Sequence, residues 1–166
     1  MVEGVRPARK DAAELMSVCA ANLLTVCMLL TPFFLDALLQ SRAASVLARA
    51  VATVAAATLA FAFLHELLHA AAARALGSRA AVRVFPLGFQ TLFLDPLPPW
   101  KTALVYLAPL LATPIPLALQ AAGLPRVYAA LWVSLCAGDA AALPWRLSER
   151  ARAFVCTPNG RVMALR

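Results

Sequence analysis

Charged residues are scarce in this sequence. Only 14% of its 166 residues are charged, whereas 63% are apolar. An ordinary soluble domain carries about 25% charged residues, so this composition excludes that class and indicates a membrane protein. The length fits a single integral membrane domain that covers residues 1–166.

Cysteine and histidine are also few, and their positions restrict the chemistry of the chain. The four cysteines, Cys19, Cys27, Cys136 and Cys156, form no CxxC pair, so neither a disulfide framework nor a cysteine zinc site is indicated. The sequence has two histidines, His65 and His69, and both belong to one short motif. Any chemistry that needs histidine is therefore confined to that motif.

Four apolar stretches are candidates to cross a bilayer, whose core of about 30 Å needs about 20 helical residues. They cover residues 15–39, 43–76, 103–122 and 127–143. The first is longer than the apolar part of a signal peptide, about 7–15 residues, and is interpreted as a retained span. The second would measure about 50 Å as one straight helix, so we expect it to tilt, break or project beyond the bilayer.

The basic residues follow an alternating pattern along these stretches. They are frequent before residue 15, between residues 77 and 102 and after residue 143, and rare in the two other connections. Because cytoplasmic loops collect Lys and Arg, this pattern predicts a multi-pass protein of the cell membrane with both termini in the cytoplasm. It also accounts for the net charge of +7, so no nucleic-acid partner is expected.

Two segments outside the spans show strand patterns. Residues 80–95 alternate around Pro86-Leu87-Gly88, which predicts a β-hairpin. This hairpin either offers an edge to which an extended peptide adds as a strand, or simply packs into the fold. Asp95, which precedes a proline, is expected to cap a turn rather than to bind metal. Turn residues 157–160 predict a small strand or hairpin near the C-terminus.

Together these features predict the fold class. We expect an all-α membrane protein with four transmembrane helices, a short β-hairpin between helices 2 and 3, and a small cytoplasmic C-terminal tail.

The motif His65-Glu66-Leu67-Leu68-His69 lies near the end of the second stretch. Residues four apart share one face of a helix, so both imidazoles can bind one ion. Glu66 lies beside His65, within reach of a water on that ion. The motif therefore predicts a Zn²⁺ site with His65 and His69 as ligands and Glu66 as catalytic base.

Asp139 lies within the fourth apolar stretch. A carboxylate inside a membrane is costly unless it is paired or coordinated, so it needs a partner. It is predicted at about the same depth as the histidines, which favours a third metal ligand over a hydrogen-bonded structural aspartate. Cys136, three residues earlier and on about the same helix face, is a rival ligand.

At these residues the chain resembles the intramembrane zinc metalloproteases of the site-2 type, and more closely a group of small zincin peptidases. The resemblance rests on HELLH, the hairpin-like segment and Gly138-Asp139. It implies that His65, His69 and Asp139 bind zinc and that Glu66 is the base. It also implies cleavage of peptide bonds in membrane protein substrates near the cytoplasmic side. The Leu-Asp-Gly segment usual in that family is absent from this sequence.

Two other functions remain open at this point. A zinc-binding membrane pseudoprotease or scaffold would hold the ion in a closed coordination sphere. An ion transporter would use the same four polar residues as a path, but the sequence has no internal repeats of the kind common in transporters. The sequence does not indicate an oligomeric state.

Overall fold

The computed structural model describes residues 5–7, 44–85, 88–148, 151–158 and 162–165, with four single positions, residues 20, 31, 35 and 39. Those four positions are helical. The rest of the expected first span, with Cys19 and Cys27, lies outside the described residues, as do the turn residues 86–87 and 159–160.

The described chain is mostly helical. Its helices are α1 (Ala44–Ala75), α2 (Pro99–Leu111), α3 (Pro114–Ala121) and α4 (Arg126–Ser148). Within the described residues, three helical segments are long and apolar enough to cross a membrane, namely Ala48–Ala75, Pro99–Ala121 and Arg126–Pro144. These correspond to the second, third and fourth predicted spans.

Helix α1 is continuous over 32 residues, a length of about 48 Å. It ends at Gly77, whose φ of 93° lies in the left-handed region that glycine adopts without strain. The Gly77 N–H donates to the Arg74 carbonyl, and the Ser78 N–H donates to the Ala73 carbonyl. This pair of bonds is the Schellman arrangement, and it turns the chain directly into the hairpin.

The predicted third span is divided into two helices. Pro114 has no N–H, so it cannot donate to the Leu110 carbonyl as an uninterrupted helix would require. The last turn of α2 is instead closed by hydrogen bonds that span three residues rather than four. The Ala112 N–H donates to the Pro109 carbonyl, and the Thr113 N–H donates to the Leu110 carbonyl. The prolines thus interrupt the helix after Leu111, within the predicted third span.

The expected hairpin is present. Strands β2 (Ala80–Phe85) and β3 (Gly88–Phe93) pair antiparallel, with Val82 opposite Thr91. Asp95 stabilises its base, because its carboxylate accepts hydrogen bonds from the Arg79 N–H at 2.7 Å and from the Arg79 guanidinium at 2.8 Å. Where the sequence predicted a turn cap, Asp95 forms an ion pair with Arg79 across the base of the hairpin.

A second sheet lies near the C-terminus. Strands β4 (Ala153–Cys156) and β5 (Val162–Leu165) form the expected hairpin, and β1 (Val5–Pro7) adds to β5, giving the order β1-β5-β4. Strand β4 is joined to the rest of the fold by a pair of backbone hydrogen bonds between Leu97 and Phe154, of 2.8 and 2.7 Å. The third strand was not predicted from the sequence.

The main buried cluster lies at the C-terminal end of α1, where both sheets meet the helices. It comprises Ala70, Ala73, Ala80, Leu92, Phe93, Leu97, Val105, Phe154, Cys156, Val162 and Ala164. Large apolar side chains are exposed on the outer face of α1, including Leu59, Phe63 and Leu67. An exposed apolar face of this kind suits contact with lipid.

Candidate metal centre

Helix α1 places His65 and His69 on one face. Both side chains are buried, with 6% and 7% of their surface exposed. Their rings stand nearly perpendicular to each other, and the two Nε2 atoms are 3.1 Å apart. The two nitrogens therefore converge on one point, as the spacing of the motif predicts.

Asp139 reaches the same point from α4. Its Oδ2 lies 2.7 Å from Nε2 of His65 and 3.0 Å from Nε2 of His69. The structure thus brings together the three residues that the sequence singled out as candidate ligands.

The contacts of the two Nδ1 atoms explain why the Nε2 atoms face each other. Nδ1 of His69 is 2.7 Å from the Val105 carbonyl oxygen, to which it donates its N–H. This assigns the lone pair of His69 to Nε2, as is usual for metal-binding histidines. Nδ1 of His65 faces the Cys136 sulfur at 3.9 Å. Cys136 therefore lies behind His65, away from the point of convergence, and the structure does not place it as a ligand.

The donor set fits a metal ion. Two imidazole nitrogens and a carboxylate oxygen form a typical three-residue ligand set of a catalytic zinc site. Donor atoms on a tetrahedral ion, with bonds of about 2.0–2.1 Å, are separated by about 3.3 Å. The separations of 2.7 to 3.1 Å observed here are close to that value. The side chain of Asp139 remains 21% exposed, so the group is not sealed from outside.

Glu66, the second residue of the motif, is held by the hairpin. Its Oε2 accepts a hydrogen bond of 2.6 Å from the Thr91 N–H. The Thr91 hydroxyl in turn donates to the Glu66 carbonyl oxygen, also at 2.6 Å. Two contacts thus join α1 to β3 at the residue next to His65.

A cavity of about 130 Å³ connects Glu66 with two of the candidate ligands, His69 and Asp139. It is lined by Glu66, His69, Gln90, Thr91, Phe93, Val105, Tyr106, Asp139, Cys156 and Val162. Burial raises the pKa of the Cys156 thiol to about 11, so this side chain is neutral at physiological pH. The C-terminal sheet therefore covers one side of the cavity with uncharged residues, and the charged groups lie on the helices.

No family model, curated protein or solved structure matches this chain. A function must therefore be assigned from the geometry of these residues.

Three residues of the site were not assigned to it from the sequence. Thr91 binds Glu66, and Tyr106 lies beside His69 with ring centroids 6.2 Å apart. Arg146, which is buried, donates from Nε to the Tyr106 hydroxyl at 3.3 Å. A polar side chain within an apolar helix was the available signal for Tyr106. The contact of Thr91 with Glu66 joins residues that are 25 apart, and no feature of the sequence indicates it.

Proposed function

We propose that this chain is a zinc-dependent intramembrane endopeptidase that hydrolyses peptide bonds of membrane protein substrates near the cytoplasmic side. The observation that carries the proposal is the convergence of His65, His69 and Asp139, of which His69 and Asp139 line one cavity together with Glu66. The resemblance of the motif to site-2 metalloproteases supports the same function.

His65 and His69 would hold zinc through Nε2, and Asp139 would hold it through Oδ2. Three protein ligands leave a tetrahedral ion one position for water, whereas a closed structural site has four protein ligands. Among the described residues, the group contains three. When bound, zinc supplies Lewis acidity, which lowers the pKa of water to about 7 and polarises a carbonyl group.

Glu66 is the proposed general base. Because Oε2 accepts the Thr91 N–H, Oε1 is the atom assigned to take a proton from the attacking water. The water oxygen forms a bond to the carbonyl carbon, and the bond from that carbon to the peptide nitrogen breaks. Glu66 then returns its proton to the leaving nitrogen, which completes the hydrolysis.

The position of the site along α1 supports action inside the membrane. His65 and His69 lie about 9–15 Å from the C-terminal end of the helix. That end carries Arg74, followed by Arg79 and Lys101, which favours placing it on the cytoplasmic side. The cavity volume of about 130 Å³ has room for several waters, since about 15 Å³ of cavity volume suffices for one. A membrane segment that unwinds at this depth is the substrate we propose.

The substitution Glu66→Gln tests this function, because it removes the base and leaves the three ligands in place. Purified protein in liposomes would be mixed with a panel of tagged single-span membrane segments that contain Gly or Pro. We expect Glu66→Gln to retain zinc and to lose cleavage by about 10²–10⁴-fold, the usual contribution of a general base. Cleavage would be followed by the appearance of tagged fragments.

Glu149→Gln provides the matched control, since it makes the same chemical change outside the motif. It should cleave as the unmodified protein does. Equal cleavage by Glu66→Gln and by the control would contradict the assignment of the base. Zinc binding without cleavage of any segment by the unmodified protein would favour a pseudoprotease or scaffold.

A further inference from the structure

We propose that Thr91 is a positioning residue for the general base, holding the Glu66 carboxylate in the orientation that proton transfer requires. This inference rests on the proposed function. It assigns to the β2–β3 hairpin a part in the reaction, in addition to its part in the fold.

Thr91 contacts Glu66 at two separate points. The backbone N–H of Thr91 donates to the carboxylate, and the hydroxyl of Thr91 donates to the backbone carbonyl, both at 2.6 Å. Thr91 as a whole residue is 8% exposed, so little water competes for these bonds. One contact fixes the carboxylate, and the other fixes the strand against the helix that carries it.

The register of the hairpin explains why this N–H is available to Glu66. The Leu94 N–H donates to the Arg79 carbonyl, so alternate residues of β3 bond to β2 and the others, including Thr91 and Phe93, point away. The Thr91 N–H is thus directed at Glu66, and the Phe93 N–H is directed at the Cys156 thiol. At these two residues the protein itself occupies the outer edge of β3, which favours a hairpin that supports the site over one that receives a peptide there.

Fixing the carboxylate matters because proton transfer needs its acceptor atom within hydrogen-bond reach. A carboxylate free to rotate about its side-chain torsions would present Oε1 in the correct place only part of the time, and small misplacements of catalytic groups lower rates strongly. The N–H bond to Oε2 restricts that rotation. Thr91 therefore acts through Glu66, and it need not touch the substrate.

Three substitutions separate the two contacts. Thr91→Ser keeps both the hydroxyl and the N–H and serves as the matched control. Thr91→Val keeps the shape and the N–H and removes the hydroxyl. Thr91→Pro removes both donors, and it breaks no hydrogen bond between the strands, because this N–H takes no part in pairing with β2.

The first measurement uses no protein substrate. Co²⁺ would replace zinc, and the shift of its visible absorption would report the affinity for acetohydroxamate, a small metal-binding acid whose proton Glu66 can accept. We expect Glu66→Gln and Thr91→Pro each to weaken binding about tenfold, the usual effect of losing a hydrogen bond to a charged group. Thr91→Val should weaken it about threefold, and Thr91→Ser should bind as the unmodified protein does. Co²⁺ stoichiometry should be the same in all of them.

The second measurement is the cleavage assay in liposomes. We expect Thr91→Pro and Thr91→Val to lower kcat with KM unchanged, and Thr91→Ser to keep both values, which a merely structural role would not produce. If Thr91→Pro fails to bind Co²⁺ stoichiometrically, the comparison of Thr91→Val with Thr91→Ser decides. If Thr91→Val and Thr91→Ser have equal affinity for acetohydroxamate and equal kcat while Glu66→Gln is impaired, the positioning role of Thr91 is overturned. The proposed function would then still stand. An unimpaired Glu66→Gln would overturn this inference together with the proposed function.

Discussion

Asp139 is the residue on which the candidate metal centre depends most. A carboxylate within an apolar helix is unfavourable unless something compensates its charge. Here it lies within 3.0 Å of two imidazole nitrogens, and no second carboxylate belongs to this group among the described residues. Asp139 therefore supplies the anionic charge that a divalent ion in this position would need.

We expect Asp139→Ala to weaken zinc binding by at least about tenfold, since even residues that only support metal ligands contribute about 10–100-fold. The amount of zinc per chain would be measured on purified protein after dialysis against a weak chelator. Asp95→Asn is the matched control, because Asp95 lies outside the group and should leave zinc content unchanged. Full zinc content in Asp139→Ala would remove Asp139 from the ligand set.

The site residues differ in how far the sequence predicts them. His65 and His69 follow from helical spacing alone, because residues four apart must share a face. Asp139 could be selected because a lone carboxylate in an apolar stretch needs a partner, although its distance from His65 depends on how α1 and α4 pack. Thr91 could not be predicted, since its contact with Glu66 depends on the register of the hairpin and on where the hairpin meets α1.

At the scale of elements, the base of the hairpin, just beyond the end of α1, is closed by an ion pair between Arg79 and Asp95. The Asp95 carboxylate accepts hydrogen bonds from the backbone and the guanidinium of Arg79. The backbone carbonyl of Asp95 accepts a further hydrogen bond from the Ser78 hydroxyl. The hydrogen bonds from Arg79 lower the pKa of the Asp95 carboxyl to about 2. This connection helps to set the position of β3, and with it Thr91, against the motif.

The depressed pKa of Asp95 predicts how stability depends on pH. Its folded value of about 2 lies below its ordinary value of 3.8, so the stabilisation is complete above about pH 5. It is lost as the pH falls from about 4 to about 2. Thermal unfolding in detergent at pH 6 and at pH 2.5 would show a smaller difference between the unmodified protein and Asp95→Asn at the lower pH. A difference that does not change with pH would contradict this role of the ion pair.

The elements themselves show what the sequence can and cannot predict. Apolar length and alternation predict α1, α4 and the β2–β3 hairpin within a few residues. The break between α2 and α3 follows from the missing N–H of proline, which leaves a helix carbonyl without its hydrogen-bond donor. The position of the break depends on which carbonyl is left without a donor. Strand β1 was not predicted, because a three-residue strand has no periodicity and its partner lies at the other end of the chain.

On the scale of the whole molecule, the helices, the hairpin and the C-terminal sheet meet at one end of α1. The buried cluster around Phe154 and Leu92 joins α1, α2, the hairpin and the C-terminal sheet, and the cavity lies beside it. The opposite half of α1 packs through a smaller cluster with α4 that includes Val54, Val127 and Leu131. The proposed orientation places the first end at the cytoplasmic side.

Cysteine labelling tests that orientation. Val84 in the hairpin is 77% exposed, and Arg126 at the start of α4 is also exposed. In intact cells, a maleimide that does not cross membranes should label Arg126→Cys and should leave Val84→Cys unlabelled until the membrane is permeabilised. The opposite pattern would reverse the orientation, and labelling of both would argue against a span between them.

X-ray absorption at the zinc edge of the purified, zinc-loaded protein tests the central claim most directly. Two histidines, one carboxylate and a water predict a first shell of four nitrogen or oxygen atoms at about 2.0–2.1 Å, with outer-shell scattering from two imidazoles. Asp139→Ala should change this shell, and Glu66→Gln should not. A sulfur atom at about 2.3 Å, or a spectrum without imidazole scattering, would contradict the proposed metal centre.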